Sequence, residues 1–197
     1  MVRALEVLHA EGLRIAVMKI LGEAVYRRLD VVELRLTPPI VVVPEPGFDL
    51  RFVTLDDAAA YAELHPVGAD EVVPRLERGH RCFGAWQDGR LVATRWFSIG
   101  AAPIEYLGRT VPLESGELYL YELYTAPDVR GHSVTRAAGT GAVAALAAEG
   151  VHRIVGAVLP ENRSVRRAFE KGGWRVVGRI GFVRLGRWRR DFGDLSA

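Results

Sequence analysis

At 197 residues with 49% hydrophobic content, the chain suits one domain with an appendage and can bury a core. Its net charge of +2 singles out no partner class, and a single cysteine, Cys82, excludes an intrachain disulfide or a thiolate metal cluster and favours a reducing, cytoplasmic compartment. No uncharged run approaches the roughly 18 residues a membrane span needs, and Glu6 and Glu11 interrupt what a secretion signal would keep apolar.

Residues 2–29 are predicted helical with a break near Gly12, because Leu13, Val17, Ile20, Leu21, Ala24, Val25 and Leu29 keep helical spacing. Such a helix packs on the domain or on a second subunit, which makes a homodimer one expected assembly; lying on a membrane surface is the other reading. "VVELRL" alternates as a strand, and Pro38, Pro39, Pro44 and Pro46 then mark a connector, so residues 1–47 are expected outside the main domain. "LRFVTLDD" predicts a strand ending at a helix cap, Asp56, before "DAAAYAELH". "ADEVVPRLERG" predicts a second short helix with Pro74 in its first turns.

β-signals then crowd together. "CFGAWQDGRLVATRWFSI" predicts a hairpin turning at Asp88-Gly89, "IEYLGRTV" a weaker strand and "ELYLYELYT" a strong one. An alanine-rich helix over 134–149 comes next, then "HRIVGAVLP" as a strand and "NRSVRRAFEKGG" as a helix. "WRVVGRIGFVRLGRW" reads as a strand, or as a hairpin about Gly181, with 186–197 as a basic tail. The order β-α-α-β-β-β-α-β-α-β is that of a mixed α/β sheet with helices on its faces.

Charge is unevenly spread. Residues 41–150 carry nine basic and fifteen acidic groups, and residues 151–197 carry eleven and four. An acidic middle before a basic end suggests a site for an anionic ligand more than a nucleic-acid coat, or a charged face that serves solubility.

One stretch carries more. "ELYTAPDVRGHSVTRAAGTGAVAALAAEG" joins a strand to the alanine-rich helix through a loop holding Arg130 and Gly131. A helix's first turn leaves backbone N–H groups unpaired at the positive end of its dipole, and a phosphate satisfies both. Gly131 permits close backbone approach and Arg130 adds a permanent charge, although an ordinary turn can look the same. Joined to the strand and helix C-terminal to it, "LYTAPDVRGHSVTRA…N…S…AFEKGGW" resembles the GNAT superfamily of acyl-coenzyme A-dependent N-acyltransferases. The resemblance spans about residues 48–185 and is strongest over 117–178.

It implies a GNAT-like α/β (α+β) fold: a mixed, mostly antiparallel sheet flanked by helices, to which the N-terminal helix would be extra. The implied activity transfers an acetyl or other acyl group from acetyl-CoA or another acyl-CoA to a small-molecule or peptide amine; the five histidines have no metal-ligand spacing, so no metal is expected, and no nucleic-acid partner is expected either. By the same likeness, backbone amides of Arg130, Gly131, His132, Ser133, Val134 and Thr135 hold the cofactor's pyrophosphate. The main chain of Leu123, Tyr124 and Thr125 meets the pantetheine arm as an added strand would, and Asn162 contacts that arm or caps the helix it opens.

The departures bear on this. Ser133 and Thr135 stand where the family pattern has Gly and Gly/Ala. A Cβ there crowds the backbone, while a hydroxyl can donate to phosphate, and Ser133 can instead cap the helix by accepting from the Arg136 N–H. Phe169 occupies the cofactor-side position where many members carry a proton-donating tyrosine, which leaves Tyr121, Tyr124, His132 or water to serve the thiolate. Gly139 and Gly141 each cost about 1 kcal/mol in a helix interior, so the sheet or a ligand is expected close to them.

For the amine, the strand over 117–125 offers Glu117 and Glu122, whose odd separation predicts opposite sheet faces. Glu122, beside Tyr121 and near the strand end, is favoured as base or amine-positioning group; a structural pairing with arginine is the alternative. Cys82 lies far in sequence from the expected cleft between strands 117–125 and 151–159, so direct attack is expected rather than an acyl-enzyme. A non-catalytic coenzyme A-binding or interaction module, or an enzyme using a longer-chain or carrier-protein donor, shares the same sequence features.

Overall fold

The computed structural model describes residues 25–37, 46–65, 68–130 and 133–195. The predicted helix up to residue 24, the connector over 38–45, and Gly131 and His132 lie outside them. One eight-stranded sheet runs in the order β10-β9-β1-β8-β7-β4-β3-β2, where β1 is Tyr26–Arg35, β2 Asp49–Phe52, β3 Arg81–Gln87, β4 Arg90–Ile99, β7 Glu117–Thr125, β8 Arg153–Val158, β9 Arg175–Leu185 and β10 Trp188–Phe192. Every neighbouring pair is antiparallel except β7 and β8. β5 (Ala101–Ile104) and β6 (Arg109–Pro112) form a separate two-stranded sheet. The fold is thus a mixed, mostly antiparallel α/β architecture.

Among the described residues four α-helices cover it: α1 (Ala58–Leu64), α2 (Val72–Glu77), α3 (Val134–Ala148) and α4 (Arg163–Lys171). On one face, α3 buries Val134, Ala137, Ala138, Gly141, Ala142 and Leu146, a helical stripe of mostly small residues. That stripe lets the helix lie close over Phe83, Phe97, Leu118 and Leu120. A Cβ on Gly141 would come within 2.9 Å of Leu50 and 3.1 Å of Phe83, so the sheet accounts for this glycine. On the opposite face, α1 and α2 cover Cys82, Trp86, Leu91 and Trp96, while β5 and β6 cover Tyr119 and Val155.

The β3–β4 turn forms at Asp88-Gly89 as expected, with φ of 52° and 79°, the paired positive angles of a type I′ hairpin. Elsewhere the local signals mislead. Tyr26–Leu29, expected to end a helix, open β1, which lies between β8 and β9 deep in the sheet. The rest of β1 falls on "VVELRL", expected as a strand; it is covered on both faces, and Asp30 and Glu33 are buried with it. "IEYLGRTV" is not one strand: β5 ends at Ile104, a 3₁₀ turn spans Glu105–Leu107, and β6 starts after Gly108 at φ +59°. Gly181 is no hairpin turn. It sits inside β9, where a Cβ would come within 2.2 Å of the Arg27 carbonyl oxygen, and the chain reverses at Gly186 instead. Residues 188–192, expected within a tail, form the edge strand β10.

The basic C-terminal segment now has a structural occupation. Arg153, Arg175 and Arg179 pair with the buried acids of β1: Arg153 Nε with Glu33 at 2.8 Å, Arg175 with Glu33 at 3.1 Å, and Arg179 with Asp30 at 3.1 Å. Arg166 reaches Asp30 at 3.3 Å. Burial would raise the Glu33 carboxyl, but hydrogen bonds from Arg153 and Arg35 outweigh it and hold the group below its ordinary range.

Candidate active site

β7 and β8 pair only over Glu117–Leu120 and Arg153–Gly156. Beyond Leu120 the strands part: Ala157 and Val158 stay with β1, and Glu122–Thr125 stay with β4. The β8-facing edge of Leu123, Tyr124 and Thr125 therefore offers backbone groups to an extended ligand. The parting lies where the sequence placed a cleft.

A bulge re-aims the side chains there. Trp96 faces Glu122 while Phe97 faces Leu120, so Tyr121 is an extra residue in β7. The predicted opposition of Glu117 and Glu122 fails for this reason, since one inserted residue restores Glu122 to the face of Tyr119 and Trp96. Glu117 is occupied elsewhere, bound by Arg153 at 2.7 Å. Glu122 instead borders a cavity of about 720 Å³ between α2, β5–β6 and the parted strands.

Around that cavity the chemistry is unequal. Arg75 on α2 donates to Glu122 Oε2 at 2.9 Å and also holds Glu71. The His80 ring nitrogen Nδ1 lies 2.9 Å from the Tyr121 hydroxyl. Burial, with Arg78 and Arg75 nearby, pushes the imidazole below its ordinary range, so it is neutral near pH 7. Burial raises the Tyr121 phenol, which makes it a persistent hydrogen-bond donor rather than a strong acid. The other wall is aliphatic, with Ile99, Pro103, Ile104, Leu159 and Val165. Asn162 and Phe169 close the far side.

Asn162 caps α4, accepting from the Val165 N–H at 3.3 Å and the Ser164 hydroxyl at 3.0 Å. Phe169 packs on Trp174 with ring centroids 4.8 Å apart. Tyr124 turns away from the cavity and contacts the His65 ring at 4.4 Å. Cys82 is buried and its thiol is raised by that burial, which makes it a poor nucleophile.

At the other end of β7, α3 starts after Ser133. The Ser133 side chain makes no cap hydrogen bond, so the expected competition between capping and ligand binding does not arise from it. The Thr135 hydroxyl lies 3.4 Å from that of Thr125, and Arg130 Nε donates to the Thr125 carbonyl at 3.2 Å. The first-turn amides of Val134 and Thr135 have no acceptor within the helix, as at any α-helix start. A helix start that the Ser133 side chain does not cap, beside a strand edge unpaired among the described residues, fits a ligand with an anionic group at one end and an amide-bearing arm at the other. The amides of Val134 and Thr135, with the hydroxyls of Ser133 and Thr135, would hold the anion, and Leu123–Thr125 the arm.

Sequence reasoning brought Tyr121, Glu122 and the α3 start to one region but missed Arg75 and His80. The run "PRLERGH" reads as a polar helix end, and only α2's docking turns it toward Glu122.

The profile of the Acetyltransferase (GNAT) family matches residues 50–174. Solved structures with similar folds include a protein assigned to the GNAT acetyltransferases from Novosphingobium aromaticivorans (TM-score 0.55, 19% identity, 79% of this chain and 63% of that one). A GCN5-related N-acetyltransferase from Sphaerobacter thermophilus aligns with TM-score 0.56 at 15% identity, over 90% of this chain and 56% of that one. An aminoglycoside N-acetyltransferase in complex with CoA aligns with TM-score 0.54 at 18% identity, over 74% of this chain and 99% of that one. The chain thus spans less than two thirds of the first two. No curated protein matches it.

Proposed function

The chain belongs to the GNAT acetyltransferase family, and from that premise we propose that it moves an acetyl or other acyl group from coenzyme A to a primary amine by direct attack. The observation that carries this reading is the unpaired edge of β7 beyond Leu120, which connects the start of α3 to the cavity holding Glu122. The thioester supplies an activated acyl carbon, which the amine nitrogen attacks as the thiolate departs.

The chain's residues divide the remaining work. Backbone amides in the first turn of α3 take the diphosphate, and the edge of Leu123–Thr125 orients the arm so that the carbonyl lies near the bulge. An N–H of that edge is the donor for the developing oxyanion. Arg75 holds Glu122 through Oε2, which fixes the carboxylate for an amine to approach Oε1 and lose its proton directly or through water. With His80 donating from Nδ1 to its oxygen, the Tyr121 hydroxyl donates its own proton in a hydrogen bond toward the departing sulfur, and water completes the protonation of the thiolate, because Phe169 cannot. Aliphatic residues opposite Glu122 suit an acceptor with an apolar portion beside its amine.

The test is calorimetric binding of acetyl-CoA followed by thiol release across amino sugars, polyamines and peptide N-termini. Glu122→Gln is expected to lower kcat/KM by about 10²-fold at unchanged coenzyme A affinity. An unchanged rate would remove Glu122 from the mechanism, and cofactor binding without transfer to any amine would favour a sensing module.

A further inference from the structure

Arg95 stands in the middle of the sheet, on β4, and its side chain leaves on the α3 face. It is 8% exposed. Its Nη2 donates to the Thr135 carbonyl, in the first turn of α3, while its buried Nε has no hydrogen-bond partner among the described residues. No carboxylate among them pairs with it, and burial alone pushes the guanidinium down to about 10, so it is charged at neutral pH. A buried cation without a counter-ion is rare because desolvation is not repaid by Coulomb attraction.

Its surroundings point to the missing anion. Arg95 is the cross-strand partner of Leu123, whose side chain is 45% exposed on the same face, beside the edge that β8 leaves unpaired. Thr135, which accepts from Arg95, also faces Thr125, and Thr125 accepts from Arg130. These contacts gather Arg95, Arg130 and the start of α3 at one corner. Gly139, one turn further along α3, leaves the guanidinium room: a Cβ there would sit 3.6 Å from Nη2.

We propose that Arg95 is the buried counter-charge of the diphosphate site, acting from beneath the helix start and offsetting the crowding that Ser133 and Thr135 introduce; this rests on the acyl-CoA reading above. The ligand class is a diphosphate diester. Held at low dielectric, the charge acts on the anion without being displaced by solvent, whereas the exposed Arg130 is screened.

Arg95→Met keeps an unbranched apolar stem and removes the charge. Titration with coenzyme A is expected to show a dissociation constant raised by about tenfold or more, with dephospho-coenzyme A affected equally. Transfer from S-acetyl-pantetheine, which lacks the diphosphate, is expected to hold its kcat/KM within about twofold. Arg95→Lys, which keeps the charge, is expected to recover most of the coenzyme A affinity and serves if the Met variant does not fold. Equal losses for coenzyme A and S-acetyl-pantetheine would assign Arg95 a purely structural role and overturn the proposal, as would unchanged coenzyme A affinity in Arg95→Met or a lysine variant that binds no better than the methionine one. Wild-type protein without coenzyme A affinity would overturn this proposal together with the acyl-CoA reading.

Discussion

Two arginines, Arg153 and Arg95, are buried in one sheet under opposite conditions. Arg153 meets Glu33 at 2.8 Å, Glu117 at 2.7 Å and the Leu195 carbonyl at 2.6 Å, so its charge is matched inside the fold. Arg95 has one helix carbonyl and no carboxylate among the described residues. The first fixes β1 between β8 and β9; the second leaves a charge for something else to satisfy. A buried ion adds to stability only when its partners are already present, so the contrast separates a structural guanidinium from one oriented toward a ligand.

The contrast is broken most forcefully at Arg153. Arg153→Met leaves Glu33 and Glu117 without their shared partner, at an expected cost of about 3–5 kcal/mol by denaturant unfolding. Arg95→Met, which removes an unmatched charge, is expected to leave the melting temperature of the ligand-free protein unchanged or raised, while shrinking the rise produced by coenzyme A. Similar losses for both variants would erase the distinction.

Helix α3 gives a smaller test. Gly141→Ala places a methyl group against Leu50 and Phe83 and is expected to destabilise by about 1–2 kcal/mol in the same assay. Gly139→Ala meets Arg95 at ordinary contact distance, so lower chain entropy should stabilise the protein by up to about 1 kcal/mol. A destabilised Gly139→Ala variant would mean that the guanidinium needs more room than its distance implies.

An exposed pair marks the low end of the scale. The Arg51 guanidinium holds the Asp57 carboxyl at about 2, below its ordinary 3.8. A value depressed by folding stabilises above the unfolded pKa and is lost as pH falls through the folded one. Asp57→Asn should therefore cost about 1 kcal/mol at pH 7, discounted because the Arg51 side chain is 43% exposed. That cost should fade between about pH 4 and pH 2, as urea titrations at both ends of the window would show. A penalty independent of pH would place the effect in the helix cap, where Asp57 also accepts from the Thr54 N–H at 2.9 Å.

What the sequence determined by itself is what neighbouring residues decide: the Asp88-Gly89 turn, the small-residue stripe of α3, the cap at Asn162, and the strand–loop–helix passage after Thr125. Each depends on dihedral preferences or on a repeat within a few positions, and such signals remain legible without knowledge of the rest of the chain. Only the tertiary structure decided that β1 opens at Tyr26 and lies between β8 and β9, because the alternation of "VVELRL" marks a strand but neither its start nor its neighbours, and Glu33 finds Arg153 across 120 positions. It also decided the bulge at Tyr121, which turned Glu122 into the cavity, and the solitary charge of Arg95, since register and burial are properties of strands once paired. Local propensity ends where long-range pairing begins, and the parts of this site that hold charge lie on the far side of that line.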